Sequence, residues 1–304
     1  MNISNIVEAI KSRKFMPSKP IREVRAIDLK RDPEIIASRK HNGNSATLVV
    51  EAGNFDFYTT SNLHLATLDS KHWVEDAAWL QAMRDLPQNT VLRGEIYIPN
   101  AKIEDLGAFQ EWYTYHMNKL DGSGSAPPQA ATFKAFEVLS IGGASVSNLP
   151  YKERFAMIPP ALRVEVAPYT RLSQAQQAAE DARKLGIEGF VFWDANAKSL
   201  CKLEGSNFPR GGAWKAKPLF IETFQLRKLL NASPEKFLVQ LGNDSMEFNC
   251  GSGLTMEERS TVVREFEEGK PVFVTIGHYG IDESGKPEIP TMQQFRTGFD
   301  PFTL

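Results

Sequence analysis

Four short segments carry side chains suited to group-transfer chemistry. Lys40-His41-Asn42-Gly43 lies between apolar Ile35-Ile36 and a run of strand-forming residues. A lysine beside a glycine turn becomes a nucleophile once its amine is neutral, a state favoured by burial or neighbouring cations. The same pattern also occurs in ordinary surface hairpins. Arg93-Gly94-Glu95 sets a carboxylate beside glycine in an apolar stretch, where it can face a cleft and take a ribose hydroxyl or a metal ion, or simply face water. Gly186-Ile187-Glu188-Gly189 repeats that arrangement ahead of Phe190-Val191-Phe192-Trp193. Trp214-Lys215-Ala216-Lys217 puts two ammonium groups on one strand face by period-two alternation. Like charges side by side are costly unless an anion lies between them. That suits phosphate, with a solvated edge strand as the plainer alternative.

The elements around these segments read as α+β. Apolar Ile3, Ile6, Val7 and Ile10 recur at helical spacing until Pro17 and Pro20, so a helix is expected over Ile3 to Phe15. Thr47 to Tyr58, around Ala52-Gly53-Asn54, reads as a hairpin. Helices are expected over Trp73 to Asp85, Ala108 to Leu120 and Ala175 to Leu185, and strands over Val91 to Ile98, Phe133 to Leu139 and Gly189 to Asp194. Asp121 to Pro128, rich in Gly, Ser and Pro, is a linker or an exposed loop. After Pro218, short apolar runs at Phe237 to Leu241, Met246 to Phe248 and Pro271 to Ile276 surround one helix, Thr255 to Glu268. That pattern suggests a small β-barrel. Trp73, Trp79 and Trp112 are read as core. Among the histidines, His41 stands inside a chemical motif, and His64, His72, His116 and His278 are read as structural.

Composition narrows the classes. In 304 residues, 42% hydrophobic and 24% charged side chains are ordinary for a folded protein and exclude a collagen-like or wholly disordered chain. No apolar run reaches the roughly 18 to 20 residues of a membrane span, and Met1 to Lys14 lacks the apolar region of a secretory signal. A cytoplasmic protein with no membrane partner is expected. Cys201 and Cys250 are too few for a disulfide framework and are read as buried thiols. The net charge of −2 hides an asymmetry. Residues 1 to 40 hold ten Lys/Arg against five acids, whereas residues 219 to 304 hold eight against thirteen.

In order and approximate spacing, Lys40, Glu95, Phe136-Glu137, Glu188-Gly189 and Lys215-x-Lys217 resemble the motifs of the covalent nucleotidyltransferases: ATP-dependent DNA ligases, RNA ligases and mRNA capping enzymes. Phe136 to Leu139 resembles the motif whose ring stacks on adenine, and Tyr151 to Arg154 resembles the Arg-bearing segment that follows it. Phe248 to Leu254, Glu258-Arg259, Gly285 to Pro287 and Phe295 to Asp300 resemble the C-terminal domain of compact DNA ligases. The likeness spans roughly residues 30 to 300 and turns Asp121 to Pro128 into a loop. It implies a nucleotidyltransferase (adenylation) domain of antiparallel sheets with flanking helices over residues 1–218, followed by an OB-fold β-barrel over 219–304.

The resemblance also implies a reaction. Lys40 would attack the α-phosphate of ATP to give a lysyl-AMP, AMP would pass to the 5′-phosphate of a nick, and the 3′-hydroxyl would seal the strand. Lys40, Lys215 and Lys217 take the catalytic roles. Arg39, Lys40, Glu95, Phe136, Glu188, Lys215, Lys217 and Arg296 contact the nucleotide, with Phe136 on the adenine face and Arg296 at the pyrophosphate. Glu95 and Glu188 hold Mg²⁺ or Mn²⁺. The implied partner is nicked double-stranded DNA, in replication, repair or recombination, and the implied state is a monomer.

Three positions depart from the DNA-ligase pattern. Asn42 stands for the usual Asp, Ser45 for an Arg, and Thr60 for a strand Arg that contacts the nick phosphate. These substitutions keep an RNA ligase open as the main rival, with a capping-type guanylyltransferase behind it. A catalytically inactive nucleic-acid-binding relative is a further alternative, against which stands the retention of Lys40, Glu95, Glu188, Lys215 and Lys217. Because residues 219 to 304 are acidic, the basic first forty residues are expected to supply phosphate contacts, with Arg227, Lys228 and Lys236 as candidates in the second domain.

Overall fold

Strand-forming runs of the first 217 residues become a six-stranded antiparallel sheet and a five-stranded sheet that is antiparallel except for one parallel pair at its edge. The computed structural model describes residues 3–16, 22–24, 26–68, 72–74, 76–99, 106–118, 129–203, 212–243, 245–282, 284–287 and 290–298. The segment 121–128 and most of 208–214 lie outside them. The chain divides into two compact units, Met1–Lys217 and Pro218–Leu304.

In the first unit the elements run α1 (Ile3–Lys11), β1 (Phe15–Met16), β2 (Arg22–Glu23), α2 (Ala26–Leu29), β3 (Ile35–Arg39), β4 (Asn44–Glu51), β5 (Asn54–Thr59) and β6 (His64–Thr67). Then follow α3 (Ala77–Arg84), β7 (Thr90–Tyr97), α4 (Leu106–Asn118), β8 (Thr132–Ile141), β9 (Ala144–Ser145) and α5 (Tyr151–Ala156). The unit ends with β10 (Val166–Ala167), α6 (Ala175–Leu185), β11 (Phe190–Asp194), β12 (Lys202–Leu203) and β13 (Ala213–Ala216). A six-stranded sheet has the order β6-β5-β4-β7-β8-β9, and a five-stranded sheet the order β10-β3-β11-β13-β2, with β1 and β12 paired apart.

Local chemistry accounts for the boundaries. Ala52 and Gly53 at φ +49° and +82° form the tight turn between β4 and β5. Asp76 caps α3 by accepting the Trp79 N–H at 2.9 Å. Gly186 at φ +63° ends α6 in a left-handed cap and hands the chain on to Glu188.

One face of the six-stranded sheet carries Leu48, Val50, Leu92, Ile96 and Phe133 into a core with Trp73, Trp79 and Trp112. The three indoles donate to the carbonyls of Thr67, Phe133 and His72, so each polar handle is satisfied. On the other face, Val49, Tyr58, Val91 and Leu139 cluster with Ile6, Val7 and Ile10 of α1. The five-stranded sheet buries Ile35, Ala37, Phe190 and Phe192 against Ala178 and Ala182 of α6. Its other face adds Val191 and Trp193 to the core of the six-stranded sheet.

The second unit corrects an expectation. It is a single antiparallel sheet of β14 (Phe220–Asn231), β15 (Leu238–Gly242), β16 (Glu247–Cys250), β17 (Val272–His278) and β18 (Thr291–Thr297), in the order β16-β15-β14-β17-β18. Among the described residues this sheet does not close, so the OB-fold barrel expected over 219–304 is not formed. Closure needs edge strands that pair along their length at a consistent stagger. β16 has only four residues, and Gly251-Ser252-Gly253 then turn the chain into α7 (Met256–Glu267). Contact with the other edge includes the Met292 N–H to Ser252 carbonyl bond, 2.9 Å, without a ladder. The apolar face is covered instead from α7, whose Val262 joins Phe224, Leu226, Val239, Leu241, Val274 and Ile276. The sequence reading missed β14 because exposed Ile221, Arg227 and Leu230 blur its alternation.

Among the described residues, no helix is long and apolar enough to cross a membrane. Cys201 and Cys250 are buried free thiols.

Candidate active site

Lys40 to Gly43 is the crossing from the five-stranded sheet to the six-stranded one, since β3 ends at Arg39 and β4 starts at Asn44. The Lys40 N–H bonds the Gly189 carbonyl at 2.9 Å, tying the crossing to the segment before β11. Gly43 passes so close to β7 that a Cβ would lie 2.1 Å from the Ile96 carbonyl oxygen. Gly189, at φ +144°, passes β13 as tightly, with a Cβ 2.4 Å from the Ala216 oxygen. Gly43→Ala is therefore expected to push the crossing off β7, visible as a melting point lower by several degrees and as an altered environment at Lys40.

Three separated stretches converge here. Glu188 accepts from Lys40 Nζ at 2.8 Å through one carboxylate oxygen and from Lys217 Nζ at 2.5 Å through the other. Lys215 is partly buried and alternates with buried Trp214 and Ala216, so it shares the face of Lys217. Glu95, on β7 opposite Ser45, is mostly buried and takes a hydrogen bond from the Gly43 N–H. Burial pushes its carboxyl up to about 7, repulsion from Glu188 adds to this, and Lys40, the Gly43 amide and Lys217 oppose it.

That shift has a measurable sign. A carboxyl at about 7 in the fold and 4.5 in its ordinary state binds more protons folded than unfolded between those values. Stability should therefore fall as pH rises from about 4.5 to 7, by on the order of 3 kcal/mol. Glu95→Gln should remove most of this slope, so the free protein melts higher than wild type at pH 8 and similarly at pH 4.5. A variant that melts with the same pH dependence as wild type refutes the assignment.

The remaining sequence candidates divide. Phe136 is 8% exposed, stacked on Trp193 at a centroid distance of 5.2 Å, with the Arg93 guanidinium 5.2 Å from its ring. Arg39 stays outside the Glu188 cluster, exposed and paired with Glu165 at 3.3 Å. Arg296 lies in the second unit, exposed on β18 opposite Phe273. His41 is buried and stacked on Tyr97 at 3.9 Å. Burial, with Arg39, Lys134 and Lys40 nearby, drops its pKa to about 3, so the ring is neutral and no proton shuttle at ordinary pH. Thr60 is exposed in the turn after β5.

A buried network went unread in the sequence. Arg93 and Arg154 grip the two oxygens of Glu137 at 3.1 and 2.5 Å, and Arg93 Nη1 lies 3.1 Å from Cys201 Sγ. Its one local signal was alternation, which sets Arg93 on the face of β7 that carries Glu95.

The donor set suits a nucleotide with a divalent cation. Among the described residues no group of three or more His, Cys, Asp or Glu could enclose a metal. Two carboxylates are what Mg²⁺ or Mn²⁺ needs when substrate phosphates and waters complete its octahedron. The repulsion between Glu95 and Glu188 is what such an ion would relieve, while Lys40, Lys215 and Lys217 offer positive charge to phosphate.

No protein-family model matches the sequence, and no curated protein matches it. Solved structures do. One, from a structure–function study of Lig E DNA ligases and DNA binding with a minimal scaffold, is 16% identical with a TM-score of 0.59, over 92% of this chain and 99% of that one. Pmar-Lig_PreS3 is 14% identical with a TM-score of 0.64, over 94% of this chain and 68% of that one. Pmar-Lig_Pre is 15% identical with a TM-score of 0.64, over 94% and 69%. At such identities the likeness carries the fold alone: this chain is folded like these ligase structures.

Proposed function

We propose that this chain is an ATP-dependent polynucleotide ligase that seals 3′-hydroxyl/5′-phosphate nicks in duplex DNA. The observation that carries the reading is the meeting of Lys40 and Lys217 on one carboxylate, Glu188, beside the buried carboxyl of Glu95. A nucleophilic lysine, two further cations and two carboxylates are the groups that nucleotidyl transfer needs, because its catalysis is mostly positioning and charge neutralisation. The DNA preference is taken from the Lig E likeness.

In the proposed reaction, deprotonated Lys40 Nζ bonds to the α-phosphorus of ATP and pyrophosphate leaves. Lys215 and Lys217 neutralise the phosphate oxygens, and Glu188 orients Lys40 and Lys217 before the nucleotide arrives. Phe136 serves the adenine, and Arg39 and Arg296 serve the phosphates. Glu95 and Glu188 would hold Mg²⁺ or Mn²⁺, which supplies charge neutralisation at the phosphates. The AMP then moves to the 5′-phosphate of the nick, and attack by the 3′-hydroxyl releases it. On this reading residues 1–218 are the adenylation domain, residues 219–304 a second domain, and the protein a cytoplasmic monomer.

Uncharged Asn42, Ser45 and Thr60 favour a second reading, RNA-end joining by the same chemistry. Incubation with α-labelled ATP or GTP and Mg²⁺, followed by denaturing electrophoresis, tests both. A labelled protein with ATP, reversed by pyrophosphate, is expected, and no label with either nucleotide would sink the whole reading. Nicked duplexes with DNA or RNA on the 3′-hydroxyl side then separate DNA from RNA joining.

A further inference from the structure

The sheet face that carries Glu95 is shared with α1. Along β7, Val91, Arg93 and Glu95 point the same way. Val91 belongs to the cluster built on Ile6, Val7 and Ile10 of α1, and Glu95 is four residues farther on, about 13 Å at the rise of a strand.

At its C-terminus α1 is pinned on both sides of a short turn. The Ser12 and Lys14 N–H groups bond the Glu8 and Ala9 carbonyls at 2.8 and 2.7 Å. Arg13 is held at φ +60°, a left-handed conformation that is costly for any residue but glycine. Phe15, 2% exposed, anchors the other side, and its carbonyl accepts a hydrogen bond from Asn62 Nδ2 at 2.6 Å. Asn62 sits in the Thr59-to-Leu63 turn, and Thr59 pairs with Ala46, the residue after Ser45. Ser45 in turn faces Glu95. The turn bearing Arg13 and Lys14 is thus fixed to the β5 end of the Glu95 face.

Charge separates these residues from their neighbour. Lys11 pairs with Glu51, whereas Arg13 and Lys14 are exposed and have no carboxylate partner among the described residues. Ser45, Thr60 and Ser61, on the adjoining strand ends, carry no charge. Among the described residues, a polyanion approaching this face meets Arg13 and Lys14 of the α1 turn as exposed cations without a carboxylate partner.

We infer that Arg13 and Lys14 hold the phosphodiester backbone of the nicked duplex, in place of cations absent at Ser45 and Thr60. The inference rests on the ligase reading and adds to it a nucleic-acid contact outside the candidate active site. The test is binding of a nicked DNA duplex by the full chain across about 50 to 200 mM salt, for wild type, Arg13→Ala/Lys14→Ala and Lys11→Ala. The double variant should flatten the slope of log affinity against log salt by about 2, with roughly tenfold weaker binding at the low-salt end, while labelling by ATP proceeds at the wild-type rate. Lys11→Ala should keep the wild-type slope. An unchanged slope in the double variant overturns the inference whether or not label forms. So does an equal flattening in Lys11→Ala, which would reduce the effect to net charge. Failure of wild type to take label, with the double variant flattened as expected, would sink the ligase reading and uphold the phosphate contact.

Discussion

Lys40→Arg is expected to abolish the labelled ATP adduct, a loss of at least roughly a thousandfold, as for removal of any covalent nucleophile. The substitution keeps a positive charge next to Glu188, so a purely electrostatic role for Lys40 would be largely preserved. A guanidinium stays protonated at every accessible pH and has no lone pair to attack phosphorus. The two roles therefore separate. The variant should still bind nicked duplex with near wild-type affinity. It should also still close a nick whose 5′-phosphate already carries AMP, because that step needs no nucleophile from the protein. Wild-type labelling in Lys40→Arg would remove Lys40 from the chemistry. Label in wild type together with failure of the variant on the pre-adenylated nick would point instead to a collapsed site.

The second large effect is on stability. Glu137→Gln should destabilise the first unit by about 3–5 kcal/mol, the usual result of stranding buried charges. Arg93 and Arg154 are 4% and 1% exposed, and both converge on Glu137. Arg154 also donates to the carbonyls of Leu149 and Ala197, so its guanidinium cannot follow a lost partner into water. For a unit of this size the loss corresponds to on the order of 10 °C in melting temperature. Burial alone would raise the Glu137 carboxyl, but Arg154, Arg93 and Ser199 overcome it and hold the pKa below 4.5. A carboxyl lowered in the fold contributes stability above its unfolded value and loses it as pH falls through the folded one. Wild type should therefore lose stability below about pH 4.5, and Glu137→Gln should lack that part of the acid response. Equal acid sensitivity in the two proteins would show that Glu137 is not the group responsible.

The same network reaches the aromatic cluster around Phe136. Arg93 lies over the ring of Phe136, which stacks on Trp193, and Trp193 stacks on Tyr151. Loss of Glu137 removes one of the groups that hold Arg93 against Phe136, Cys201 remaining beside it, so milder variants of this cluster should shift the Phe136–Trp193 stack before they unfold the unit.

Elements governed by local chemistry were legible in the sequence. The hairpin around Ala52-Gly53 follows from a tight turn between strand-forming runs, and α7 from the Thr255/Glu258 capping box ahead of a periodic apolar face. Burial of the three tryptophans follows from their size and apolar character. Elements governed by distant partners were not. β14 shows weak alternation because only Phe224 and Leu226 of its twelve residues are fully buried. The open edge between β16 and β18 depends on strand ends 40 residues apart, a separation that no local pattern encodes.

By itself the sequence determined the α+β class, most of the helices and about half of the strands, and the order of the lysine, glutamate and glycine motifs, because these follow from neighbours within a few residues. Tertiary structure alone decided which charged groups meet. Lys40 and Lys217 reach Glu188 through the pairing of β3, β11 and β13. Glu137 meets Arg93 through the register of β7 against β8. Lys11 is neutralised by Glu51 while Arg13 and Lys14 are left to solvent. Whether a charge is paired, buried or free depends on long-range strand register and on what that register brings within a few ångströms, and electrostatic energies change most steeply over those distances.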